Sequence, residues 1–463
     1  MSDVDVSSQA VERVEVTARL AEFVADASWD DIPARVRHEA KRSLLNHFAV
    51  ALGGCNDEVV DRVSRVLDRP GTASATVIGR GERRDAWDAA YINAISANVL
   101  DFDDTHAPTI IHPTAPVAPP LFAHAETATL SGRDLLLAFI VGVEVECRLG
   151  VAVSPGHYRR GWHITSTCGV FGAAAAMSKA IGLDARRVGW ALGNASAGSS
   201  GLIETLGFMS KSLGVGGSAR NGWLASIFAA NGVSGPERPL EGARGFLGVM
   251  GDNDARDDAS IVAGLGDRWA LTENTYKPYP CGVVLNPVIE ACLAIRATGG
   301  FDARDIDSIV VTGNPLLAER ADRPDVQFGR ESQVSAQHGV AVVFVTGRAG
   351  AAEFSDDAVR DPVVRSIYPR VRVVRDASYP IESATVELRL RSHAPVSRTV
   401  ACARGSLGAP LDDDDLERKL AALALHGGFG DDIRPLADAV WNIDSEADAG
   451  RIVALAAGSA RRA

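Results

Sequence analysis

The sequence predicts a mainly α protein in three stretches: a large all-helical domain over 1–266, an α+β domain over 267–402, and helices over 403–463 that return to the first domain. Three observations predict this. Residues 15 to 265 are dominated by Ala-, Leu- and Val-rich stretches at helical spacing, broken by Gly and short polar caps. Around Trp269 the texture changes to short runs in which apolar and polar residues alternate. After Ser406-Leu-Gly-Ala-Pro the helical pattern resumes.

Within the first stretch, Ser131 and Asp134 form an S-x-x-D start signal ahead of a Leu-rich run, and Asp184 is placed to cap another helix. The run Gly172-Ala-Ala-Ala-Ala-Met-Ser-Lys has small residues on every side, which suits a central helix with close neighbours. In the second stretch, Ser308–Thr312, Arg370–Val374 and Ala384–Leu390 read as strands. Val386, Leu388 and Leu390 alternate with polar residues, so the sheet should have one wet face. Helices are expected at about 284–297 and 332–347, and in the tail over Asp414–Leu425 and Ala437–Leu455.

Composition excludes several classes of function. Of 463 residues, 46% are hydrophobic and 23% charged, an ordinary globular balance. The net charge is -12 and the 47 Lys+Arg form no run, so no basic stripe is present to bind a nucleic acid backbone. A few converging cations would still suffice for an anionic small molecule. The acidic start MSDVDVSSQAVERVEV is unlike a signal peptide, and no apolar stretch is long enough to span a membrane. The six cysteines, at 55, 147, 168, 281, 292 and 402, form no CxxC pair, which fits a reducing cytoplasm and no metal cluster. No cofactor is expected.

Four segments carry chemistry-bearing residues. Asp101-Phe-Asp-Asp-Thr-His-Ala-Pro-Thr-Ile-Ile-His-Pro gathers three carboxylates, two imidazoles and two hydroxyls, an acid/base set if burial tunes it. A capped, solvated turn is the plainer reading, and a divalent site from Asp103, Asp104, His106 and His112 matches no standard ligand spacing. Next, His163 in Gly161-Trp-His-Ile-Thr-Ser-Thr precedes hydroxyls that can open a helix, whose positive end favours a carboxylate ligand and a neutral imidazole. A satisfied core histidine is its plainer reading. The third segment, Met209-Ser-Lys-Ser-Leu-Gly-Val-Gly-Gly, combines Lys211 with glycines that permit close approach, but the Lys precedes them and this is no Walker A loop. The fourth, Asn274-Thr-Tyr-Lys-Pro-Tyr-Pro-Cys-Gly, puts Lys277 on a stiffened backbone at the junction of the two expected domains, where pockets form; otherwise it is a surface lysine.

Taken in this order and spacing, the segments resemble the MmgE/PrpD superfamily, which includes 2-methylcitrate dehydratases, cis-aconitate decarboxylases and iminodisuccinate epimerase. The marks are Asp101-Phe-Asp-Asp-Thr with His112-Pro, Gly161-Trp-His163, Lys211 with Gly216 and Gly222, Lys277-Pro-Tyr-Pro-Cys and, more weakly, Gln337-His338 before Gly347-Arg-Ala-Gly. The resemblance implies a homodimer in which the α+β insertion is a lid over an interdomain cleft, lined by Asp101, Thr105, His112, His163, Lys211 and Lys277. It also implies a metal-independent hydro-lyase acting on a small citrate-like polycarboxylate. His112 and His163 would be the proton-transfer pair, with Asp101 orienting an imidazole. Lys211 and Lys277 would hold carboxylates, and Thr105, Asp104 and His106 would complete the substrate contacts. Two departures bear on the reaction: Gly214 and Gly282 stand where some relatives, the decarboxylases at the second position, carry histidine. Epimerisation or decarboxylation on the same fold is the first alternative, since all three share a carbanion-like intermediate. A carboxylate-binding homologue without turnover is the second.

Overall fold

A computed structural model describes residues 14–252, 256–391, 394–430 and 432–458. Residues 1–13, which hold most of the acidic start, lie outside the described residues.

Apolar side chains gather into two separate cores. The first runs from Val16 to Tyr276 and takes in Leu411 to Ala456; the second spans Cys281 to Ala403. The first core is built on helix Ile164–Ala180, which packs against helices Gly132–Val153 and Ser210–Ala230. Small residues allow these axes to approach. A Cβ on Gly142 would lie 2.7 Å from the Ala176 Cβ, and one on Gly222 would lie 2.5 Å from the Ala173 Cβ. The expected starts are present: Ser131 accepts from the Asp134 N–H at 3.1 Å, and Asp184 from the Arg187 N–H at 2.8 Å. Helix Asp413–His426 lies along helix Ala34–Gly54, so the tail shares the first core.

The first stretch is not wholly helical. β1 (Ala75–Val77) and β2 (Glu82–Arg84) form a hairpin. Its turn needs Gly79 and Gly81 at φ +72° and +63°, and their N–H groups donate to Ala456 and Ala457 at 2.8 and 2.6 Å. β3 (Asp104–His106) pairs antiparallel with β4 (Asn274–Tyr276), with Thr105 opposite Thr275. This short ladder ties two of the chemistry-bearing segments together.

In the second core a four-stranded sheet runs in the order β6 (Val371–Arg375), β5 (Ile306–Gly313), β7 (Ala384–Leu390), β8 (Val396–Val400), with β5 and β6 parallel and the other pairs antiparallel. On β7, Val386, Leu388 and Leu390 are buried while Glu387 and Arg389 are exposed, so the alternation does mark one wet face. β8 carries the polar run Ser397-Arg398-Thr399 and escaped the sequence pattern. Helices Asn286–Ala297 and Ala336–Thr346 fill the dry side.

The expected single helix Ala437–Leu455 is two, Arg434–Trp441 and Gly450–Leu455. The break docks on the first core: Glu446 accepts from the Gly132 N–H and Leu130 from the Ala449 N–H, both at 2.9 Å. Among the described residues Cys147, Cys168, Cys281, Cys292 and Cys402 are free thiols, and no helix is long and apolar enough to cross a membrane.

Candidate active site

Residues from both cores line a cavity of about 260 Å³, which shares Thr105, Ile110, Tyr158, Val283 and Arg320 in its walls with a second of about 360 Å³. Among the cavity's lining residues are Asp101, Thr105, His112, His163, Lys211 and Lys277. Five cationic side chains line it against three carboxylates, Asp101, Glu204 and Glu319, so an acidic chain turns a locally positive surface to this space.

Asp101 sits where helix Ala86–Asn98 gives way to β3, at φ +50°, an unusual value for a residue with a side chain. That conformation aims its carboxylate between two lysines. Lys211 Nζ lies 2.5 Å from Oδ1 and Lys277 Nζ 3.2 Å from Oδ2, while Lys277 also donates to the Asp101 carbonyl at 3.0 Å. Burial alone would raise the Asp101 carboxyl pKa; Lys211 and Lys277, with help from His112, overcome it and hold the pKa far below the ordinary value. Lys211 is the reciprocal case: burial lowers its pKa, and Asp101 more than restores it.

Asp101 therefore serves lysines, not an imidazole as expected. The carboxylate beside His112 is Asp103, whose Oδ1 lies 3.5 Å from Nδ1. His112 Nδ1 is also 2.8 Å from the Asp104 carbonyl, which can only accept, so Nδ1 carries the proton and the neutral ring keeps its lone pair on Nε2. Thr105 Oγ1 is 3.3 Å from the same nitrogen, and Thr165 Oγ1 accepts from the His112 N–H at 3.1 Å. Burial lowers the His112 pKa, opposed by Asp103 and supported by the two lysines.

His163 is the N-cap of helix Ile164–Ala180, and its Nδ1 lies 2.7 Å from Ser166 Oγ. Burial, then Lys211 and His112, push its pKa down to about 3, so this ring stays neutral. Gly214 shapes this contact. A Cβ there would lie 2.7 Å from Ser166 Oγ, so the absent side chain makes room for the hydroxyl that holds His163. Gly282 differs, for a Cβ there would meet nothing nearer than 3.9 Å and would enter open cavity.

Two expected contact residues face elsewhere. Asp104 is buried beneath the cavity floor, its Oδ2 accepting from Thr114 Oγ1 at 2.5 Å and Asn274 Nδ2 at 2.7 Å, and burial lifts its pKa to about 7. Adjacent strand residues point to opposite sides, so Thr105 reaches the cavity where its neighbours cannot. His106 bonds Thr109 at 2.8 Å and borders a different depression with Glu144 and Arg148, its pKa lowered to about 4 by burial. The ligand set weighed from sequence, Asp103, Asp104, His106 and His112, thus does not converge. Ligand atoms of Asp101, Asp103 and His112 do come within 4.8 Å of one another. Two ammonium groups already occupy the Asp101 carboxylate, and they would repel a divalent ion from this set.

The sequence reading missed Lys419, Ser166, Tyr158 and Arg320. Lys419 is buried on the inner face of helix Asp413–His426 and donates to the carbonyls of Phe102 at 2.7 Å and Lys277 at 2.9 Å. Its position among Leu416, Leu420 and Leu423 was the available signal. Gln337 and His338 are supports in the second core. His338 bonds Tyr368 Oη and the Glu353 carbonyl, each at 2.7 Å, and Gln337 holds the Asp322–Arg323 turn through bonds of 2.7 and 3.1 Å.

A two-core, mainly helical protein with imidazoles and lysines converging on one cleft is the class these features define. The MmgE/PrpD N-terminal domain matches residues 18–258 and the MmgE/PrpD C-terminal domain residues 279–442, and the chain belongs to the MmgE/PrpD family. It is similar to the cis-aconitate decarboxylase-like protein oryM of Aspergillus oryzae, 26% identical over 96% of this chain and 97% of that one. The cis-aconitate decarboxylase of Mus musculus is 26% identical over 88% of this chain and 86% of its own length. That of Aspergillus terreus is 32% identical over 59% of each.

Proposed function

We propose that the chain is a lyase that acts on a small polycarboxylate by proton transfer among its own side chains, eliminating water from a citrate-like hydroxy acid. One observation carries this reading: two neutral imidazoles face a cavity in which two lysines share a single aspartate. Lys211 and Lys277 hold a substrate carboxylate and spread the negative charge that develops when a proton leaves the adjacent carbon. His112 Nε2 takes that proton, because its Nδ1 is fixed as a donor to the Asp104 carbonyl. The protonated His112 returns that proton to the departing hydroxyl, which leaves as water, while neutral His163, its ring fixed by Ser166, hydrogen-bonds the hydroxyl and Thr105 hydrogen-bonds the substrate. Asp101 holds the two ammonium groups together rather than touching an imidazole. A lid domain over 267–402 draws support from the second apolar cluster, Cys281 to Ala403, and its share of the cavity lining, although Trp269 to Tyr276 pack in the first core. The family resemblance supports a homodimer in the cytoplasm.

The names of the relatives favour a second reading, decarboxylation, which passes through the same carbanion. Gly282 weighs against it, since the resemblance puts a histidine there in decarboxylases. The test is incubation with 2-methylcitrate, citrate, cis-aconitate and iminodisuccinate in deuterated water with chelator, followed by proton NMR. Loss of water from a hydroxy acid is expected. Carbon dioxide release from cis-aconitate would establish the second reading, exchange or inversion alone would establish epimerisation, and silence on all four would overturn the polycarboxylate lyase.

A further inference from the structure

Arg320 closes helix Pro315–Ala321, directly after β5, and borders both the 260 Å³ cavity and its 360 Å³ neighbour. The other cations there are mostly spoken for. Lys211 and Lys277 share Asp101, and Arg330 is paired with Asp57. Arg320 has no ion-pair or hydrogen-bond partner among the described residues, and its Nε is buried. What it does have is Tyr158, with the guanidinium carbon 4.7 Å from the ring centroid. A contact over the ring face uses none of the five N–H donors. The turn that follows is pinned by Gln337, so the helix end is fixed while the guanidinium is left unsatisfied.

The charge arithmetic indicates what satisfies it. Two lysines less one aspartate leave one net positive charge, matched to one substrate carboxylate. A second carboxylate needs its own cation, and the planar donor fork of arginine fits one. Resting on the polycarboxylate reading above, we propose that Arg320 is a specificity-determining residue, docking a second carboxylate of the substrate from the lid side while the lysine pair holds the first. The cleft thereby selects acids that carry a carboxylate beyond the reacting unit.

Calorimetric titration of the full chain tests this with two acids that offer nothing to eliminate. Methylsuccinate and isobutyrate differ by one terminal carboxylate, the second. The unaltered protein should bind methylsuccinate roughly 10- to 100-fold more tightly, the range for a buried hydrogen bond to a charged group. Arg320→Ala should erase that preference and leave isobutyrate binding within about 2-fold, and Arg320→Lys, which keeps the charge without the fork, should fall between. An unchanged preference in Arg320→Ala, or no preference in the unaltered protein, overturns the role of Arg320 while leaving the polycarboxylate reading standing. If the unaltered protein binds neither acid, that reading falls and the proposal falls with it.

Discussion

Asp101 and Ile110 both hold positive φ, +50° and +60°, and both line the cavity. Each costs about 1–3 kcal/mol, a strain that surrounding structure must impose. At Asp101 the return is an anion placed between two buried ammonium groups. Asp101→Asn should destabilise the fold by roughly 3–5 kcal/mol, since it leaves buried charges unpaired. A urea midpoint measured beside turnover checks this, and loss of turnover without loss of stability would contradict it. The imidazoles predict the pH profile. Burial holds the pKa of His112 below its ordinary value and that of His163 near 3, so both rings remain neutral as pH falls past 6.5. kcat/KM should therefore keep its value there and drop only at lower pH; an acid limb at or above 6.5 would refute neutral imidazoles. Asp101, His112, His163, Lys211 and Lys277 were legible because each stands in a compact polar motif in an otherwise apolar chain. Arg320 and Lys419 were not, because Leu-Ala-Glu-Arg-Ala-Asp and Leu-Glu-Arg-Lys-Leu read as ordinary solvated helix faces.

Between helices Gly132–Val153 and Ile164–Ala180 lies a second set of buried ionisable groups. Glu146 is fully buried with both carboxylate oxygens unpartnered, packed where Gly172 leaves no room for a Cβ. Burial first, then the nearby Asp104, raises its pKa well above the ordinary value. The sign follows from linkage: a carboxyl that binds its proton more tightly when folded stabilises below the unfolded pKa, and that stability is lost as pH climbs toward the folded pKa. Glu146→Gln should thus gain stability over the unaltered protein as pH rises from about 4.5 to 8, read from thermal midpoints across that range. A constant difference would refute it. At this scale the long helices were legible, since Ala- and Leu-rich periodicity runs for several turns. The three-residue strands β1 to β4 were not, because three residues cannot display a period of two. Yet β3 and β4 are what bring Thr105 beside the Lys277 segment.

Across the whole molecule, the apolar side chains form two cores, with Trp269 to Tyr276 in the first, and no pattern of residues marked how the tail reaches the cavity. Lys419 does so by bonding backbone carbonyls next to Asp101 and at Lys277. Lys419→Met should strand both carbonyls and lower turnover by about 10-fold or more, at roughly 1–3 kcal/mol for each buried acceptor left unpaired. Comparing turnover with the folded fraction checks this; loss of activity in strict proportion to unfolding would make Lys419 a fold residue only. The position of Lys419 also orders events in time. It lies 142 residues beyond Lys277, so a chain leaving the ribosome has made both cavity lysines and both histidines long before the prop that braces them exists. Domains fold as they emerge, but this first core is completed by its last helices. The cavity is braced only once helix Asp413–His426 has been made, so a product terminated before Lys419 would hold both lysine and histidine pairs without the prop that positions them.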